Sequence, residues 1–166
     1  MRVIHVDSAT GRLRVGAMEF ACTLGRGGVC AAVDKREGDG CTPLGEWPLR
    51  GVLLRSGKVD PSAIQLPWRW VREGDGWSDD PADPAYNRPV HLPRTYSAES
   101  LLREDDAYDV IVVLGHNDAP PVSGMGSAIF LHLSESRPTA GCIAIERADM
   151  LRLLPMLVPG DSLKIV

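Results

Sequence analysis

Most of the signals that would tie a chain to a membrane, a nucleic acid or a metal are missing from these 166 residues. The longest apolar run, Val110 to Leu114, is far too short to cross a bilayer. The opening Met1-Arg2-Val3-Ile4-His5 has neither the apolar core of roughly 7–15 residues nor the small-residue cleavage site of a secretory signal. A cytoplasmic location is therefore the expectation. Lys and Arg number 18 against 22 Asp and Glu, for a net charge of −4, and the basic residues are scattered. That balance excludes the basic footprint of a nucleic-acid or anionic-membrane binder. Only four cysteines occur, Cys22, Cys30, Cys41 and Cys142, and no two form a C-x-x-C pair. Zinc and redox motifs thus lack support, and no metal is expected. Without an export signal the thiols are expected to be free rather than paired. Gly25-Arg26-Gly27-Gly28 lacks the Gly-Lys-Ser/Thr ending of a phosphate loop and reads as a turn.

What is present fits a single domain over residues 1–166, large enough to bury its own core. Strand patterns cover Arg2–Asp7, Arg12–Val15, Met18–Leu24, Trp47–Leu54, Tyr108–Leu114, Ser127–Leu133, Ile143–Ile145 and Ser162–Val166. A charged, glycine-rich loop occupies residues 34–45. Two segments read as helical: a short one from Ser97 to Arg103, and Arg147 to Leu157, whose end Pro155 should distort. The stretch from Pro61 to Pro93, dense in Pro, Asp and Gly and carrying Trp68, Trp70 and Trp77, reads as one long loop, a lid or a binding loop. Within it, Asp79 and Asp80 read as Asx-turn caps ahead of Pro81.

The chemistry concentrates near the C-terminus. A strand delivers His132, a polar loop with Pro138 follows, and Thr139-Ala140-Gly141 turns into Cys142 at the start of another strand. A thiol becomes a competent nucleophile when an imidazole takes its proton. Ten residues allow two adjacent strands to bring these side chains together. A cysteine in an apolar strand also serves as plain core filling, and residue types alone do not separate the two readings.

The order His132, then Thr139-Ala140-Gly141-Cys142-Ile143, resembles the signature of the L,D-transpeptidase family, the YkuD-type catalytic domain. Thr42-Pro43-Leu44-Gly45 resembles its T-P-x-G segment, and the likeness runs from about residue 30 to the C-terminus. The resemblance implies a mainly β (α+β) fold, a sandwich of mixed sheets with few peripheral helices. It implies Cys142 as nucleophile, His132 as base, and backbone N–H groups of Gly141 and Cys142 as the oxyanion site. The imidazole would be oriented by the residue after it; here that is Leu133, which offers only its carbonyl. The implied partner is a peptidoglycan stem peptide or muropeptide, attacked without a cofactor at the bond between the L-centre of diaminopimelate (or Lys) and a terminal D-Ala. Water as acceptor would make an L,D-carboxypeptidase, an amine a transpeptidase; with no export signal, water is the expectation. A non-catalytic stem-peptide-binding module is the further alternative. The sequence departs from the family at Ala140, where a second histidine is common, and at Ala144, where a polar residue is usual. Thr139, His116, Arg88, Lys35 and Ser127 are the candidate substrate-binding residues, and Cys22, Cys30 and Cys41 are expected to be structural.

Overall fold

The computed structural model describes residues 1–166. Thirteen strands and one α-helix follow in the order β1 (Val3–Asp7), β2 (Arg12–Val15), β3 (Met18–Thr23), β4 (Val29–Ala31), β5 (Thr42–Leu54), β6 (Trp68–Trp70), β7 (Asp75–Ser78), β8 (Pro89–His91), β9 (Ala98–Ser100), β10 (Val110–Leu114), β11 (Phe130–Leu133), β12 (Ile143–Ile145), α1 (Arg147–Leu153) and β13 (Ser162–Ile165). The chain is mostly β with a short helix, as the strand patterns indicate. None of its helices is long and apolar enough to cross a membrane.

β5 organises the architecture. Its first part pairs antiparallel with β13, and its second part, from Leu49 to Leu54, pairs antiparallel with β10. One long strand thus joins the layer β3-β2-β1-β13 to the layer β10-β11-β12. At the opposite edge β12 meets β3 through Ala144 and Ile145. The sheets are mixed: β1–β13, β11–β12, β4–β5 and β5–β6 are parallel.

Alternation along the strands decides what each face sees. Val110, Val112, Leu131, Leu133, Ile143 and Ile145 point into the main core with Ile4, Val6, Phe20 and Met150. Burying each large aliphatic side chain there is worth roughly 1.5–3 kcal/mol. The intervening residues Ile111, Phe130 and Cys142 face the other way, into a second cluster with Leu53, Trp77, Leu101 and Tyr108. A separate three-stranded sheet, β8-β7-β9, supplies Trp77 to this cluster, stacked edge-on against Phe130 with ring centroids 5.0 Å apart. Both candidate catalytic positions therefore lie on the outer face of β11–β12, away from the main core.

Several expectations are corrected. Residues 61–93 are not one loop: β6 extends the edge of β5, and β7 and β8 form a hairpin-like pair. Trp77 is core, whereas Trp68 and Trp70 stack on each other. Ser97 to Arg103 is no helix, because Ala98–Ser100 pairs with β7; tertiary strand pairing overrides a weak local preference. β5 begins at Thr42, inside the expected loop. The strand expected from Ser127 starts only at Phe130, since Ala128 has φ 53 and breaks the extended run. The helix from Arg147 stops at Leu153 and tightens to a 3-10 turn over Leu154–Met156, where Pro155 removes an amide donor.

Cys30 and Cys41 form a disulfide, contrary to the expectation of free thiols. Parallel pairing of β4 with β5 places Cys30 opposite Pro43, two residues beyond Cys41. The bridge closes the intervening loop at its base. Cys22 and Cys142 are free.

Candidate active site

Parallel pairing of β11 with β12 sets His132 opposite Ala144. Side chains two residues apart share a face, so Cys142 and Ala144 project to the same side as Phe130 and His132. His132 and Cys142 are both buried, 6 % and 8 % exposed, yet both line one cleft of about 750 Å³.

His132 is held from behind. Its Nδ1 lies 2.8 Å from the carbonyl oxygen of Leu133. A carbonyl only accepts, so Nδ1 carries the proton and Nε2 keeps its lone pair in the neutral ring. The ring also meets the edge of Tyr108, centroids 5.3 Å apart. Burial lowers the pKa of the imidazole, outweighing the Leu133 carbonyl, which acts the other way.

The thiol of Cys142 donates to the carbonyl of Ala128 at 3.1 Å, and the amide of Phe130 donates to its sulfur at 3.4 Å. Burial pushes the thiol pKa up to about 12, with the Glu99 carboxylate adding to the rise. Near neutral pH the cleft therefore holds a neutral thiol at Cys142 and a neutral imidazole at His132.

The turn into Cys142 demands glycine. Gly141 has φ 137, and a Cβ there would lie 3.0 Å from the carbonyl oxygen of Cys41. Thr139 spans the turn: its hydroxyl donates to the Cys142 carbonyl at 2.7 Å and accepts the Gly141 amide at 3.1 Å. The Gly141 N–H, expected at the oxyanion site, is thereby occupied. Thr139, expected to bind substrate, lines the cleft but spends its hydroxyl on the turn.

The other expected residues divide. Ser127 and Lys35 line the cleft. The Ser127 hydroxyl donates to Glu37 at 2.9 Å. The Lys35 ammonium is buried and bonded to Asp39 and to the Arg36 carbonyl, so it anchors its loop as well as charging the wall. Arg88 is exposed and lies outside the cleft lining. His116 is also outside it, buried edge-on against Trp47 at 4.8 Å, with its pKa lowered to about 4 by burial and then by Lys35. Asp80 caps a turn by accepting the Ala82 amide at 2.9 Å. Trp68, Trp70 and Trp77 contribute nothing to the cleft lining.

Sequence reasoning missed much of the wall. Arg26, Arg103 and Arg137 join Lys35 as cations, while Glu37, Asp79, Glu99 and Glu135 bring the opposite charge. Tyr108 donates its hydroxyl to Glu99, whose pKa is raised by burial. Arg103 lies over the Tyr108 ring at 4.9 Å and reaches Glu135 at 3.4 Å. These residues come from five separate stretches of chain. Glu99 and Arg103 lie in the Ser97–Arg103 segment, whose helical reading hid the pairing of Ala98–Ser100 with β7.

A family model for the L,D-transpeptidase catalytic domain matches residues 1–165. Among solved structures, the chain is similar to an L,D-transpeptidase from Mycobacterium smegmatis, at 12 % identity and a TM-score of 0.47 over 99 % of this chain and 58 % of that one. It is likewise similar to a cysteine-to-serine mutant of the Enterococcus faecium L,D-transpeptidase, at 14 % identity and a TM-score of 0.46 over 99 % and 49 %. The chain thus spans roughly half the length of these two proteins. No curated protein matches it.

Proposed function

Because the chain belongs to the L,D-transpeptidase catalytic-domain family, we propose that Cys142 attacks the carbonyl on the L side of an L-to-D peptide bond in a peptidoglycan stem peptide and expels the terminal D-Ala. The observation that carries this reading is that Cys142 and His132 open into one cleft while the Leu133 carbonyl holds the imidazole proton on Nδ1.

The step follows from that tautomer. Nε2 accepts the thiol proton as Sγ bonds to the carbonyl carbon. The Cys142 N–H is the donor left in the Gly141 turn for the developing oxyanion. Collapse breaks the C–N bond, and the leaving amine takes the proton back from Nε2. A thioester on Cys142 remains. Water, deprotonated by His132, then releases a new carboxylate and restores the thiol. The cleft wall carries both arginine and lysine cations and carboxylates, which suits a stem peptide carrying several carboxylates and an ammonium. A cleft of about 750 Å³ has room for such a donor with water as acceptor.

An amine acceptor is the second reading, and the Cys30–Cys41 bridge favours it. Disulfides persist in oxidising compartments, where wall cross-links are also made. The expectation of free thiols was drawn from the missing export signal, and the bridge runs against that inference.

Incubating the protein with a diaminopimelate-containing tetrapeptide, with and without a second stem peptide, and following it by mass spectrometry tests both readings. Release of D-Ala with a tripeptide product supports hydrolysis. A cross-linked product forming faster than the tripeptide supports the amine acceptor. No thioester mass on Cys142, or unchanged D-Ala release from Cys142→Ala, sinks the reading as a whole.

A further inference from the structure

The nucleophile's hydrogen bond to Ala128 depends on a residue that touches neither the cleft nor the thiol. Asn87, between β7 and β8, has φ 55 and is 3 % exposed. Asparagine is among the few residues that accept this left-handed conformation readily. Its amide is fully used: Oδ1 accepts the indole N–H of Trp77 at 2.9 Å and the backbone N–H of Ala128 at 3.0 Å. Nδ2 donates to the carbonyls of His116 at 3.1 Å and Asn117 at 2.6 Å. A flipped amide would set donors against donors and carbonyls against a carbonyl, so only this orientation works.

Ala128 is the residue that needs holding. With φ 53 it sits where a Cβ is unfavourable, and such a conformation persists only when its surroundings impose it. This conformation aims the Ala128 carbonyl at Cys142 and brings the Phe130 amide onto the same sulfur.

We propose that Asn87 is a positioning residue for the nucleophile: by clamping the Ala128 amide it fixes the carbonyl that sets the place of Cys142 Sγ. The inference rests on the reading of Cys142 as nucleophile. A residue that only ties β7 and β8 to the loop after β10 would make the same bonds to His116 and Asn117. What separates the two roles is coupling to the backbone of position 128.

A double-mutant cycle measures that coupling. Asn87→Gly keeps the left-handed backbone and removes the amide; Ala128→Gly lets position 128 hold a positive φ unaided. Asn87→Gly is expected to lower kcat for D-Ala release by about 10- to 100-fold, with KM moved by less than about threefold, as a misplaced reacting atom does. In the Ala128→Gly background the same change is expected to cost about threefold or less. Equal losses in both backgrounds, or a loss confined to KM, overturn the proposal. The pH profile of iodoacetamide alkylation, followed on the Cys142 peptide, repeats the cycle without substrate. Loss of the carbonyl acceptor should move it to lower pH in Asn87→Gly, and the shift should shrink in the double variant. Coupling in alkylation with no D-Ala release by the wild type would uphold the positioning role and reject the stem-peptide reading. Normal D-Ala release without coupling would do the reverse. If Asn87→Gly does not fold, Asn87→Ser takes its place in the cycle, with the same outcomes.

Discussion

His132 and Leu133 are bound to each other through the imidazole Nδ1 and the Leu133 carbonyl, 2.8 Å apart, so the imidazole is oriented by the backbone of its own neighbour. A triad normally spends an acidic or amide side chain on this task. Here the position is apolar, and the Leu133 side chain packs in the main core on the opposite face. The imidazole is thereby fixed by the strand itself. Replacing His132 with Ala is expected to slow thioester formation by about 10²- to 10⁴-fold, the usual contribution of a positioned general base. Rapid-quench mass spectrometry of the Cys142 acyl adduct measures it, and an unaltered rate would remove His132 from the mechanism.

Thiol reactivity should reveal the resting protonation state. With the Cys142 pKa pushed up to about 12, the thiolate fraction rises about tenfold per pH unit across the whole neutral and mildly alkaline range. Alkylation of Cys142 should therefore climb steadily from pH 6 to about pH 10, with no plateau near neutrality. Because the Glu99 carboxylate contributes to that rise, Glu99→Gln should move the curve to lower pH. A plateau between pH 5 and 8 would instead indicate a preformed thiolate–imidazolium pair.

Stability should fall on the acid side for a different reason. His116 and His132 are both buried, and burial lowers both pKa values, that of His116 to about 4. The unfolded chain binds protons at these sites near pH 6.5, before the folded one does. Their contribution is complete above about pH 7 and drains away as pH falls from 6.5 toward 4. Urea midpoints across that window should show the decline, and His116→Gln should flatten it. An unchanged slope in the variant would mean that other groups carry the effect.

The Cys30–Cys41 bridge spans a sequence separation of 11. Closing a loop of that size is worth about 3 kcal/mol in the chain-entropy account. The double change to Ala should lower stability by up to that amount in urea titrations. It should also raise KM for the stem peptide, since Lys35 and Glu37 enter the cleft wall from the bridged loop. Unchanged stability under both oxidising and reducing conditions would show that the bridge does not constrain the loop.

Gly141→Ala is expected to abolish acylation, with a loss of at least about 100-fold. At φ 137 an alanine is strained, and its methyl would press on the Cys41 carbonyl at 3.0 Å. Circular dichroism should show the strands retained, because the damage is local to the turn. A fully active variant would contradict the close approach.

That His132 and Cys142 come together in one cleft was legible in the sequence because the parts are local. His132 and Cys142 sit ten residues apart on neighbouring parallel strands, and the intervening turn needs its glycine at one position only. Strands β1 and β2 were legible for the same reason: two-residue alternation in Val3–Asp7 or Arg12–Val15 is a local pattern. What stayed hidden was assembled across distance. Glu99 reaches the cleft only because β9 pairs with β7, and Tyr108 only because β10 lies beside β11. The pairing of Cys30 with Cys41 depends on β4 running parallel to β5, which no spacing rule reveals. His116 and Arg88 misled because a polar residue at a strand end looks alike whether it faces a cleft, a tryptophan or open solvent.

The bridge and the nucleophile together pose a problem of chemical survival. One chain carries a pair of sulfurs that is oxidised and, at Cys142, a free sulfur that the proposed mechanism requires to stay reduced under the same conditions. Peroxide attacks thiolates, and burial keeps Cys142 a covered, protonated thiol. The burial that slows the sulfur toward alkylating reagents therefore also shields it from sulfenic and sulfinic acid between turnovers. On the proposed mechanism, reactivity is released only when a substrate carbonyl reaches the sulfur, so the resting protein would trade speed for durability against oxidative inactivation.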